Sequence, residues 1–261
     1  RYFIYFCRIR ISWVIKMSQQ SLNIKSLKEY IYNYGLNIDG LKLNDNALKW
    51  FDKERLRIEN LTQYERELYK LNYKAIGGVD EVGIGPLAGP VVAGCVVLPK
   101  DVFIPDVNDS KKLGEEKREL LSEVIKKNAI AYGIGIIDNE YIDSVNILNS
   151  TYEAMRIAIS KIDVEIDCLL IDAVKIPNID IMQKPIIKGD MKSISIAAAS
   201  IIAKVERDNL MKKYDELYPQ YGFGKNKGYG TKEHIEAIKK YGPCPIHRKT
   251  FLKKIIGESN I

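Results

Sequence analysis

The chain has 261 residues, 46% of them hydrophobic, enough for one sizeable α/β domain with an appendage or for two small domains. Its net charge of +6 is mostly local: residues 1–16 hold four basic side chains and no acid, which leaves +2 from Met17 onward. Bulk charge therefore does not mark a nucleic-acid-binding protein, and two histidines with four scattered cysteines argue against a zinc site and against a disulfide framework.

Residues 1–16 mix Tyr, Phe and Ile with Arg, too short and too charged an apolar stretch to span a bilayer and without the core of a signal peptide. They are expected to be an artefactual leader, with Met17 as the start; the rival reading is a basic amphipathic segment lying on a membrane surface. Residues 17–74 read as a helical N-terminal extension. Leu56, Ile58, Leu61, Tyr64 and Leu68 recur at helical spacing there, and Gly35 and Gly40 interrupt it.

From residue 75 the pattern becomes α/β. A buried strand is expected over 75–79, a second over 91–98 and a third over 129–137. Helices are expected over 115–127, 147–162 and 195–217, the last capped by Ser193 or Ser195 and Ala-rich in its first turns, so that it packs closely on the sheet. A short strand over 168–171 ends on Asp172. Cys95 and Cys168 sit in apolar runs as buried free thiols, which fits a reducing, cytoplasmic setting. The expected fold is a mixed sheet flanked by helices, with further helices at the C-terminus.

The chemistry gathers at strand ends. Asp80 and Glu81 close the first strand and run into the glycine-punctuated turn Gly83-Ile84-Gly85. Neighbouring strand residues point to opposite faces, so these two acids share one ion only if the chain bends close behind them. Asp172 ends another core strand, and Asp190 lies just ahead of the long helix. Parallel strands bring such ends to one edge. Four acids without a nearby arginine suit two Mg²⁺ or Mn²⁺ ions, which clamp a phosphoryl displacement when about 3.5–4 Å apart. Residues 221–254 carry a net +7, interleaved with Tyr221, Phe223, Tyr229 and Tyr241, as a backbone-tracking patch with a stacking platform would.

The run Gly78-Val79-Asp80-Glu81-Val82-Gly83 continuing through Gly85-Pro86-Leu87-Ala88-Gly89-Pro90-Val91 resembles the opening motif of ribonuclease HII. The resemblance extends in order through 109–113, 146–149, 170–173, 188–190, 193–204, 227–232 and 247–248, so it covers about 75–251. It implies a ribonuclease H-like catalytic domain over 75–255. It also implies a type 2 ribonuclease H that cuts the RNA strand of RNA–DNA hybrids, and cuts at ribonucleotides embedded in duplex DNA, leaving 3′-hydroxyl and 5′-phosphate ends. Asp80, Glu81, Asp172 and Asp190 take the catalytic metal-binding places. Gly83, Ile84 and Gly85 take those of the turn that meets the ribose 2′-hydroxyl, and Tyr229 that of a tyrosine stacking beside the RNA–DNA junction. Lys111, Lys188 and Lys204 are phosphate-contact candidates; His247 and Arg248 are open between a structural and a phosphate-binding role. The family has arginine where this chain has Ile84, which implies weaker discrimination of single embedded ribonucleotides. A monomer without membrane contact is expected. Two alternatives stand beside this reading: a ribonuclease HIII-like nuclease, and a non-catalytic hybrid-binding protein.

Overall fold

A computed structural model describes residues 21–257; the proposed leader at 1–16 lies outside the described residues. Two apolar runs form its centre, β1 (Ile76–Val82) and β2 (Val91–Val97), with β2 buried at every position. Such runs suit strands covered on both faces. β1 is longer than expected: its antiparallel pairing with β2 stays regular through Glu81↔Ala93 and Val82↔Val92, so both acids lie inside the strand.

The other strands are β3 (Ala131–Ile137), β4 (Cys168–Asp172) and β5 (Met182–Ile186). They complete a five-stranded sheet in the order β3-β2-β1-β4-β5. β3 is antiparallel to β2, while β4 is parallel to both β1 and β5. β3 alternates buried and more open positions as one edge, and Ala129 and Ile130, expected in it, precede it. The sequence hides β5 because it is polar and contains Pro185, which an edge strand tolerates.

Helices cover both faces. α4 (Glu115–Asn128), α5 (Asn139–Val145) and α6 (Ile147–Ser160) follow β2 and β3. The long α7 (Ile194–Leu217) begins at the N-cap Ser193, whose side chain accepts from the Ile196 amide. It lies so close to the sheet that a Cβ at Gly78 would stand 2.1 Å from the Ser195 carbonyl carbon, and one at Gly94 2.6 Å from the Ala199 oxygen. Hence glycine on the sheet faces alanine on the helix. Short α8 (Phe223–Asn226), α9 (Lys232–Tyr241) and α10 (Lys249–Ile256) close the C-terminal side.

The extension is helical as expected: α1 (Ile24–Tyr34), α2 (Asp45–Leu61) and α3 (Gln63–Lys70), with Asn23 and Asn44 capping the first two. Tyr32, Ile58 and Leu61 share an apolar cluster with Val96, Leu98, Ile201 and Ile202. Leu56 does not join it and is 60% exposed. The buried face of α2 runs through Phe51, Glu54, Ile58 and Leu61, and a residue two positions from Glu54 and Ile58 falls on the opposite side. Among the described residues no helix is long and apolar enough to cross a membrane.

Candidate active site

The sheet register does most of the assembly. Val79 pairs with Ile171 on the parallel strand β4, which sets Asp80 beside Asp172 one position on, about 4.8 Å away along the sheet. On β1, Gly78 faces α7, and so by alternation does Asp80. Asp172 Oδ1 accepts the Gly189 amide at 2.7 Å, which ties the 3₁₀ turn Gly189–Met191, and with it Asp190, to the end of β4. Strand pairing and one backbone hydrogen bond thus bring three distant acids to one edge. Glu81 follows Asp80 in a regular strand, and alternation starts its side chain towards the other face. The bend comes two residues later, at Gly83 with φ +99°. Glu81 still feels the charges of Asp172 and Asp190.

The electrostatics are those of crowded acids. Asp80 is buried, and its carboxyl is pushed well above the usual range by burial and by the neighbouring Glu81 charge, against a hydrogen bond from Ser200. Burial and the Asp172 charge raise Glu81 to about 7, with Lys111 pulling the other way. Burial, then Asp109 and Asp172, raise Asp190. None of the four carboxylates has an ion-pair partner among the described residues. Nor do any three His, Cys, Asp or Glu side chains there stand in a closed metal-coordinating cluster. The donors are gathered at one edge rather than folded onto one point. An all-oxygen, acidic donor set fits hard divalent cations such as Mg²⁺ or Mn²⁺.

The Ribonuclease HII family model matches residues 77–254. The chain belongs to the ribonuclease HII family. It is 59% identical to a ribonuclease HII of Caldanaerobacter subterraneus subsp. tengcongensis, over 91% of this chain and 99% of that one. It is 54% identical to that of Clostridioides difficile, over 93% and 97%. Among solved structures it is similar to the ribonuclease H2 of Pyrococcus horikoshii, with a TM-score of 0.57 and 27% identity, covering 70% of this chain and 97% of that one. Membership makes this chain an enzyme of the type 2 ribonuclease H kind. It also sets aside the ribonuclease HIII alternative, because the likeness to an Aquifex aeolicus RNase H3, at 20% identity, shows the fold alone.

In the turn that follows the acids, Ile84 and Gly85 are exposed while Gly83 is buried. Tyr229, 44% exposed, stands against the turn: a Cβ on Gly85 would lie 3.7 Å from its ring. Lys111 and Lys188 are exposed, Lys188 in a left-handed conformation next to Gly189. Lys204 is partly buried and bonds Asp208 at 2.6 Å, one turn further along α7.

The stacking platform expected from residues 221–241 is half the predicted size. Tyr229 and Tyr241 are exposed, but Tyr221 and Phe223 are core residues, their rings 5.4 Å apart. Their polar sequence neighbourhood concealed this, because the buried histidine pair and the apolar partners Ala88, Met211, Ile238 and Leu252 come from scattered parts of the chain. Arg248, counted in the basic patch, is wholly buried. With His247 it plays the structural part of the two that the sequence left open.

Sequence reasoning passed over other members of the site. Asp109 is buried and faces Asp190, and Ser110 shares a 2.9 Å hydrogen bond with Ser200, the same serine that serves Asp80. The motif at 109–113 was the available signal. Nothing local marked Glu65, on α3, which accepts from Ser193 Oγ at 2.5 Å and from the Ser195 amide at 3.0 Å.

Proposed function

We propose that the chain hydrolyses the RNA strand of RNA–DNA hybrids, and cuts at ribonucleotides embedded in duplex DNA, leaving 3′-hydroxyl and 5′-phosphate ends. The observation that carries this reading is the edge where Asp80, Glu81, Asp172 and Asp190 crowd without a basic partner, Asp80 and Asp190 being buried. Such crowding is costly alone and is relieved by divalent cations. Two Mg²⁺ or Mn²⁺ ions held by the four carboxylates would supply an activated water and neutralise charge at the phosphodiester. The chain's own residues do the rest. Ser200 holds Asp80, Gly189 holds Asp172, and no side-chain nucleophile is required.

In this reading Gly83, Ile84 and Gly85 present backbone to the ribose 2′-hydroxyl, the group that separates RNA from DNA. Tyr229 stacks beside them, and Lys111 and Lys188 contact phosphates. Lys204 joins them by exchanging Asp208 for a phosphate. Residues 17–74 form an extension to a catalytic unit over 75–255, working as a monomer in the cytoplasm with Cys95, Cys168 and Cys244 as free thiols.

The test is cleavage of a long hybrid and of a duplex with one ribonucleotide, in Mg²⁺ and in Mn²⁺. Asp80→Asn is expected to lose cleavage of both, by about 10³-fold or more, while keeping most of its affinity for them. Full activity in that variant refutes the assignment, and a wild-type chain that binds but never cuts is a hybrid-binding protein instead.

A further inference from the structure

Two arginines, Arg207 on α7 and Arg248 at the start of α10, are wholly buried. Among the described residues neither forms an ion pair. Every side-chain hydrogen bond they make goes to a backbone carbonyl. Arg248 donates to Gly83 O at 2.6 Å, Ile84 O at 2.9 Å and Gly89 O at 3.0 Å. Arg207 donates to Pro90 O at 2.9 Å, Ala88 O at 3.2 Å and Lys227 O at 2.9 Å. Five of the six carbonyls belong to 83–90. A buried charge without a counter-ion is expensive, and neutral carbonyls are modest compensation. A methionine or leucine would fill such a volume more cheaply.

The geometry shows what the guanidinium groups accomplish. In a trans peptide the C=O and the following N–H point in opposite directions, and the described residues contain no cis bond. Arg248 draws the Gly83 and Ile84 oxygens inward, so the amides of Ile84 and Gly85 must point outward. Both residues are exposed, and neither amide has an acceptor within the described protein. Among the described residues no other group hydrogen-bonds the Gly83 or Ile84 oxygen. Gly83 sits at φ +99° and is followed two residues later by another glycine, so the free turn has many conformations. Arg207 fixes its base: a Cβ on Gly83 would lie 2.4 Å from the Arg207 Nε.

We infer that Arg248, braced by Arg207, is a positioning residue: from beneath the turn it aims two peptide N–H groups at the substrate and so sets the enzyme's preference for a ribonucleotide. This rests on the turn being the ribose-reading element, as proposed above. It also accounts for Ile84, whose side chain leaves the contact to backbone that Arg248 holds in place.

The test uses the full chain with Arg248→Gln and Arg248→Lys, each with and without Asp80→Asn, below the melting temperature of each protein. Affinity is measured for a duplex containing one ribonucleotide and for the same duplex in all-DNA form. A positioning role lowers the affinity ratio about ten-fold in Arg248→Gln, as expected for losing one net hydrogen bond. It leaves all-DNA affinity within two-fold, and Arg248→Lys recovers part of the ratio. The proposal is overturned if both affinities fall together, if the loss equals the unfolded fraction, or if the wild type shows no preference. Should Arg248→Gln not fold, Arg248→Lys decides alone, by the same ratio. Wild-type cleavage in parallel separates this from the function itself: a chain that cuts hybrids while the ratio ignores Arg248 keeps its function and loses only the clamp.

Discussion

His247 accepts the Cys244 amide at Nδ1, 2.9 Å away, so its proton sits on Nε2. That Nε2 stands 3.0 Å from His234 Nε2, which must accept, and His234 Nδ1 then donates to the Tyr229 oxygen at 2.8 Å. Each ring is neutral with both nitrogens satisfied, and the pair ties the tyrosine loop to the segment carrying Arg248. A proton on either ring breaks this wire. Burial first, and then the charge of His234, lowers His247 to about 4, and burial lowers His234. A base depressed in the folded state is neutral there while the unfolded chain still takes up a proton. Its stabilisation is complete above the unfolded value of about 6.5 and is lost as pH falls towards 4. The unfolding free energy of wild type, measured by urea titration, should therefore drop over that window, by about 3 kcal/mol for His247. His247→Ala should be weaker at pH 7 by about 1–3 kcal/mol and flatter below it. A parallel pH dependence in the two proteins counts against the wire.

At the scale of elements, what the sequence revealed and what it hid differ in range. The core strands and α7 are legible because their signal is local, as continuous apolar or Ala-rich runs. Asp80, Glu81 and Asp172 stand out in the sequence because they close apolar runs, and Asp190 because it lies just ahead of α7. β5 was not, since Met182 to Ile186 gains its strand character from pairing with β4. The clamp on 83–90 was not either: Arg207 and Arg248 look like surface charges until the fold buries them. Glu65 is the sharpest case, an acid in a polar helix that caps α7 across 128 residues of chain. One oxygen takes both bonds while Oε2 has no partner, and burial raises the carboxyl above its usual value. Acceptance, not charge, is thus the useful property. Glu65→Ala should cost about 1–2 kcal/mol, the value of a lost N-cap. Glu65→Gln should melt at or above wild type, since its amide oxygen accepts the same bonds without a buried charge. If both variants melt alike, the capping account fails.

At the scale of the molecule, the extension and the sheet domain share a core, and Asp106 joins Glu65 among the carboxylates that bond across them. Asp106, in the loop after β2, bonds Lys28 of α1 at 2.8 Å, the Tyr32 hydroxyl at 2.7 Å and Lys117 of α4, and its own amide donates to Glu54 of α2 at 2.7 Å. Hydrogen bonds from Lys117, Lys28 and Tyr32 outweigh burial and lower Asp106 to about 2. A depressed acid contributes stability that is complete above its unfolded value of about 3.8 and is lost as pH falls through about 2. The contribution at pH 7 is about 2 kcal/mol. Asp106→Asn should lose about that much at pH 7, and its deficit relative to wild type should shrink steadily from pH 4 to pH 2. The same variant localises the effect. Because the lysines and tyrosine belong to α1 and α4, amide exchange at pH 7 should quicken first in α1, while β1 and β2 keep their protection. Uniform quickening across the sheet would mean that the extension and the sheet open as one unit, with Asp106 belonging to their common core rather than to a latch between them.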